Sequence, residues 1–355
     1  MRDPRELYQL EDHEVIAAVP SGPLPLVVCI PGMIDAGQTC RTAATYFQEN
    51  LRSIRIARFD SDELLDYRSS RPRVVYDGRR YPTVEMPEMA LHLVYDDASR
   101  PFLLLEGPEP DLRWNLLAGA VVALADTFGI DQVVTLRAIP SETPHTRTIT
   151  MLTHANQLAL GEEPPADGSA DTTGADTDGP GEQCDTSEHP ASGDSADAQE
   201  GIAATGAGPE QVFEMPGSFI PVLEKELQRG GIRCQGFVAQ IPHYLTRSPY
   251  PAGTLALLRR VSETAALEIP LMELGDIVEA SQRMLEDEVE DSPELQAMVK
   301  TLEDGYDQMA RDNDGTGYVP DMPTADELGD RFERFLAENT DDDGTSGPPS
   351  GPISS

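Results

Sequence analysis

The sequence predicts an α/β layered domain with a mostly parallel central sheet, followed by a C-terminal α-helical appendage. Three observations predict it. Continuous apolar runs such as Pro25–Ile30 (PLVVCI) and Gly236–Ile241 (GFVAQI) read as strands buried on both faces. Segments with helical period separate such runs, and that alternation builds a sheet between helices. From about Ile269 strand patterns stop, and apolar residues recur at helical spacing on an acidic background.

The elements follow in order. Pro25–Ile30 is a strand ended by Pro31-Gly32. Asp35-Ala-Gly-Gln-Thr39 opens a helix to about Leu51, with Thr42, Ala43 and Tyr46/Phe47 inward. Ile54–Phe59 is the next strand. Arg73–Tyr76 and Arg79–Val84 flank Asp77-Gly78, the strongest hairpin signal in the chain. Leu91–Tyr95 and Phe102–Leu105 are strands. Asp111–Phe128 is a helix stopped by Gly129. Asp131–Ile139 and Arg147–Thr153 return to strand, Ser218–Gln228 to helix, Gly236–Ile241 to strand and Pro251–Leu267 to helix. Leu271, Leu274, Val278, Leu285 and Val289 mark one amphipathic helix. Leu295, Met298, Leu302, Tyr306 and Met309 mark a second after Ser292-Pro293, giving an αα-hairpin. Ala325–Asn339 adds a last helix.

Residues 161–210 interrupt the pattern with thirteen acidic residues, no Lys or Arg and almost no large apolar side chain. Such a stretch cannot recover its ordering entropy, so disorder is expected there. The predicted organisation is an α/β core from 1–160 and 211–268, an acidic insertion at 161–210, a helical appendage at 269–340 and a disordered tail at 341–355.

Charge narrows the partners. With 63 acidic against 26 basic residues the net charge is −37. Nucleic acid phosphates and anionic membranes are repelled, and a basic protein surface is the better partner. Cys29, Cys40, Cys184 and Cys234 show neither zinc nor disulfide spacing, which fits a reducing cytosol. The N-terminus lacks signal-peptide blocks, and the longest apolar run, Leu116–Ala125, is too short to span a bilayer. The expectation is a soluble, cytoplasmic protein without cofactor or metal.

Three segments could carry chemistry. Gly32-Met-Ile-Asp35-Ala-Gly37-Gln38-Thr39 has the skeleton of a phosphate loop, but Gln38 replaces the lysine and Asp35 opposes a phosphate. The plainer reading is a strand-to-helix turn capped by Asp35, with the helix start near Gly37 able to hold a small polar group. Next, LLLEGPEPDLRW places Glu106, Glu109 and Asp111 at the end of an apolar strand, as an acid/base or metal cluster or as mechanical groups. In the mechanical reading the prolines stop the strand, Asp111 caps the next helix, Glu109 favours its positive end, and Trp114 buries against a neighbouring layer or subunit. Glu106 has no mechanical role and stays a ligand candidate. Finally, His145, His154 and His243-Tyr244 lie at strand edges without metal-binding spacing, which favours histidines bonded to backbone. No GxSxG, Cys–His or GxGxxG pattern is present, so no catalytic residue is assigned.

PGMIDAGQT, LLLEGPEPDLRW, IPSETPHTR and VAQIPHYLTRSPYPAGTLALL, in that order, resemble the bacterial branch of the proteasome assembly chaperone 2 family. The likeness covers about 15–160 and 211–300. It implies an α/β fold similar to nucleoside phosphorylases and related hydrolases, self-association with trimers among relatives, and an extra helical piece in bacterial members. The acidic insertion departs from the family pattern. Two functions follow. One is a non-enzymatic protein-binding or assembly protein, its helices offering a partner surface. The other is a phosphorylase- or hydrolase-like enzyme with a pocket between Asp35, Gly37, Glu106 and His145 or His243.

Overall fold

The computed structural model describes residues 2–156, 159 and 217–312. The acidic insertion, the 325–339 helix and the tail lie outside them. By contacts, Met1–Ala204 and Val212–Asp307 form one unit, and Thr205–Gln211 with Gln308–Ser355 a second, of which only 308–312 are described.

The described strands are β1 (Tyr8–Leu10), β2 (Leu24–Cys29), β3 (Arg52–Phe59), β4 (Arg73–Val75), β5 (Thr83–Glu85), β6 (Ala90–Tyr95), β7 (Pro101–Glu106), β8 (Ile130–Ser141), β9 (Met151–Ala155) and β10 (Arg233–Pro242). All but β4 and β5 form one eight-stranded sheet, ordered β1-β3-β6-β7-β2-β8-β10-β9. The sheet is mixed and mostly parallel. Strands β7, β2, β8 and β10 pair in parallel, and β3 runs their way across antiparallel β6. PLVVC in β2 and GFVAQI in β10 flank β8, so chain from both sides of the insertion builds one sheet.

Continuous apolar runs suit strands covered twice. Leu26, Val28, Leu103 and Leu105 face a first core, filled by α4 (Trp114–Phe128) and α5 (Phe219–Arg229). Val27, Cys29, Phe102 and Leu104 face a second, filled by α2 (Thr39–Asn50), α6 (Pro251–Ala265) and the start of α7 (Met272–Asp291). Short α1 (His13–Ala17) and α3 (Ser61–Leu64) lie in connections. Gly129, at φ 70°, ends α4 as predicted.

The two long helices after Ile269 are α7 and α8 (Pro293–Asp312), divided at Ser292-Pro293. Both lie on the α/β layers. Leu274 and Val278 of α7 join the second core. From α8, Glu303 and Asp307 hold Arg147, and Tyr306 Oη donates to Thr148 O at 3.2 Å.

Two local expectations are corrected. Asp77-Gly78 does not make a two-residue turn: β4 ends at Val75 and β5 starts at Thr83. Pro82 has no N–H to extend the ladder, and Asp77 Oδ1 instead accepts from the Arg79 and Arg80 amides. Asp111 does not cap α4, because Arg113, in the left-handed region at φ 59°, stands between it and the helix.

Candidate functional site

Parallel strands open an edge where their outgoing loops part. After β2 the chain turns to α2 on one face; after β7 it turns to α4 on the other. The carboxyl ends of these strands are the switch point at which open α/β sheets bind ligands. Most of the predicted candidates line this edge, each held by a neighbour.

Asp35 caps α2 from four residues before its first residue, Thr39. Its Oδ1 accepts from the Cys40 amide at 2.9 Å and its Oδ2 from the Arg41 amide at 3.1 Å. Burial raises its pKa, and the two amides and the Arg41 charge work against that rise. Gly37 sits at φ 64°, and a Cβ there would lie 2.8 Å from Tyr250 Cβ. Its N–H donates to Thr246 O and its C=O accepts from Tyr250 N, both at 2.9 Å. The helix opening is therefore closed by the loop after β10, which fills the place a phosphate would need.

Glu106 ends β7 beside Cys29 of β2. Its Oε1 accepts from Gln48 Nε2 of α2 at 2.7 Å and lies 3.4 Å from His92 Nε2 of β6. This clasp joins two strands to α2 and answers why an apolar strand ends in a carboxylate. Glu109 does not serve α4, as the sequence suggested. Its Oε1 accepts from the Phe219 amide at 2.9 Å, so it caps α5, the first described helix after the insertion. Burial raises its pKa, against the Phe219 amide and the charge of Arg137. Asp111 Oδ2 accepts from the Asp66 amide at 2.7 Å and Oδ1 from Ser69 Oγ at 2.9 Å, stapling the 108–113 loop to the loop after α3. Trp114 packs at the rim of the first core and donates from Nε1 to Pro110 O.

His145 and Tyr244 form a separate pair near α8. The His145 amide donates to Tyr244 Oη at 2.9 Å, and His145 Nδ1 lies 2.6 Å from the same oxygen. Tyr244 Oη thus holds both the backbone amide and the ring of His145. His145 is buried, and its Nε2 finds no partner among the described residues. Burial lowers its pKa, against the charges of Glu286 and Glu303. His243 is exposed, its ring edge-on to Tyr244. His154 meets Glu224 at 2.9 Å elsewhere. Among the described residues, no three Cys, His, Asp or Glu groups converge as a metal site.

Arg137 belongs to none of the sequence motifs. It stands in the buried strand VVTLRAI, pointing beneath the turn after β2: a Cβ on Gly32 would fall 2.5 Å from its Nη2. Its charge acts on both Glu109 and Cys40. A lone charge inside an apolar run was the available signal. Two surface hollows, of about 480 and 490 Å³, lie beside β1 and beside the Pro20–Pro23 loop, and none of the nine candidates lines either.

The PAC2 family model matches residues 29–291. The chain belongs to the PAC2 family. A chain of known structure from Corynebacterium glutamicum, described as of unknown function, is 32% identical, covering 86% of this chain and 98% of its own, with TM-score 0.67. A Mycobacterium tuberculosis protein, also described as of unknown function, is 30% identical over 88% and 92%, with TM-score 0.68. A second M. tuberculosis protein, described as a proteasome-assembly chaperone homologue, is 24% identical over 78% and 100%, with TM-score 0.59; that likeness shows the fold. No curated protein matches the chain. The match runs from the end of β2 through the α/β layers to the end of α7. Among the described residues no helix is long and apolar enough to cross a membrane.

Proposed function

We propose that this PAC2 protein is a non-enzymatic binding and assembly protein that self-associates and engages a protein partner of basic charge. The observation that carries the reading is the use of the edge carboxylates. Asp35 caps α2, Glu109 caps α5, Glu106 clasps Gln48 and His92, and Asp111 staples a loop. A general base must be free to meet a substrate proton, and these groups are spent on the scaffold. A neighbour in fold described as a proteasome-assembly chaperone homologue supports the same reading, and a trimer is the order the family likeness suggests. The charge of −37 steers a basic partner and makes its capture salt-sensitive. Affinity capture on the full chain should retain a stoichiometric protein at low salt and release it as salt rises; capture of none would count heavily against the proposal.

A second reading has one observation in its favour. Arg137 beneath the Gly32 turn, close enough to act on Glu109, would suit an anionic or polar small molecule at the carboxyl ends of the strands. It predicts thermal stabilisation by a metabolite, lost in Glu106→Ala and His243→Ala. Stabilisation by none, or stabilisation unchanged in both variants, disposes of it.

A further inference from the structure

The ribbon β4–β5 stands apart from the central sheet, and all fourteen residues from Arg73 to Met86 are exposed. It is nevertheless two-faced. Val74 pairs with Val84 across the ladder, and Tyr76 meets Tyr81 at 5.2 Å between ring centroids. Arg73 pairs with Glu85 in the next register position, with an ion pair of 3.3 Å. A lone two-stranded hairpin is marginal in water, and an apolar face of this kind marks a contact surface.

Nine of the twelve large apolar side chains exposed among the described residues lie on just two elements. Six are on the ribbon and its exit: Val74, Val75, Tyr76, Tyr81, Val84 and Met86. Three are on α7: Met272, Ile277 and Met284. The two elements carry opposite charge. From Arg71 to Met86 there are four arginines against two carboxylates, in a chain of net charge −37. Over Met272–Asp291 there are eight carboxylates against Arg283 alone.

We propose that the ribbon is an exchange arm that docks on the acidic, apolar-striped face of α7 in a second copy of this chain. The proposal rests on the self-association put forward above and names the surfaces that carry it. Arm against arm would oppose like charges. The acidic stretch 161–210 matches the charge of the arm but has almost no large apolar side chain to cover Val74, Tyr76 and Val84. Among the described residues, α7 offers both. A stable interface takes about 20–30 residues a side. In a reciprocal pair each copy contributes fourteen ribbon residues plus the outer half of a twenty-residue helix to one interface, which reaches that range; in a ring each seam joins one arm to one helix and is about half as large. Such an exchange closes as a pair or as a small ring.

The test replaces exposed Tyr81 with the photo-crosslinker p-benzoylphenylalanine in the full chain and maps its adducts. The expected product joins two chains, with the adduct inside 272–291. Charge reversal of the arm (Arg73→Glu, Arg79→Glu, Arg80→Glu) should weaken self-association about tenfold or more, the scale of a hot-spot loss. Mixing it with chain reversed on α7 (Glu273→Lys, Asp276→Lys, Glu288→Lys) should restore association. All six positions are exposed, so folding is unaffected; matching thermal midpoints check this. Adducts within one chain, or between chains but away from α7, overturn the proposal. So does unchanged association of the reversed arm; in that case self-association itself stands on another surface. A wild-type chain that is monomeric throughout removes both.

Discussion

Gly37 shows how tightly the β2–α2 turn is built. Its φ of 64° disfavours any side chain, and Tyr250 Cβ would stand 2.8 Å from an added Cβ. Gly37→Ala is expected to cost about 2–3 kcal/mol, read as a lower denaturant midpoint with unchanged slope. His145 carries a pH prediction. Burial holds its folded pKa below the ordinary histidine value, against the charges of Glu286 and Glu303. The unfolded chain therefore binds the proton first as pH falls. The stabilisation is complete above about pH 6.5 and is lost as pH drops below it. The thermal midpoint should fall between pH 7.5 and pH 5.5, and His145→Asn should flatten that fall. Side-chain roles were the least legible level of the sequence. Asp35 was recognisable as a cap because its amide partners are local. Glu109 bonds Phe219, a partner 110 positions away, and no local pattern reports such a contact. Glu106 likewise needed Gln48 and His92 brought to it by the sheet.

At the scale of elements, α8 is the piece most open to a clean test. Arg147, just before β9, grips it with a bidentate pair to Asp307, at 2.9 Å on each side, and a 3.0 Å bond to Glu303. These side chains are partly open to water, so salt weakens them and their worth in global stability is small. Arg147→Ala should speed amide exchange along α8, and salt should do the same to the wild type, while the melting of the sheet stays nearly unchanged. The buried strands were readable because they lack alternation, and the α7–α8 break because of Ser292-Pro293. The Asp77-Gly78 ribbon was readable as a hairpin but not in its turn, since the register depends on Pro82 lacking a donor. Its separation from the main sheet could not be read either: a strand pattern states which residues pair, not which sheet they join.

For the whole molecule, one relation organises everything else. The chain leaves β9, passes the acidic stretch, and returns through α5 to place β10 between β8 and β9. Closing a loop of fifty residues costs roughly 3–4 kcal/mol plus a constant, and the ten-residue parallel ladder of β10 on β8 offsets it. The fold class was legible because GFVAQI repeats the texture of PLVVCI. The proposed docking surfaces were not, because they are set by exposure rather than by pattern. If binding and self-association belong to the folded layers, the acidic stretch is dispensable to both. Light scattering on the full chain and on a chain lacking 161–210 decides this most directly. The same multiple of the single-chain mass in both is the predicted result. A single-chain mass for the full protein, or a multiple that vanishes with the deletion, would contradict the account.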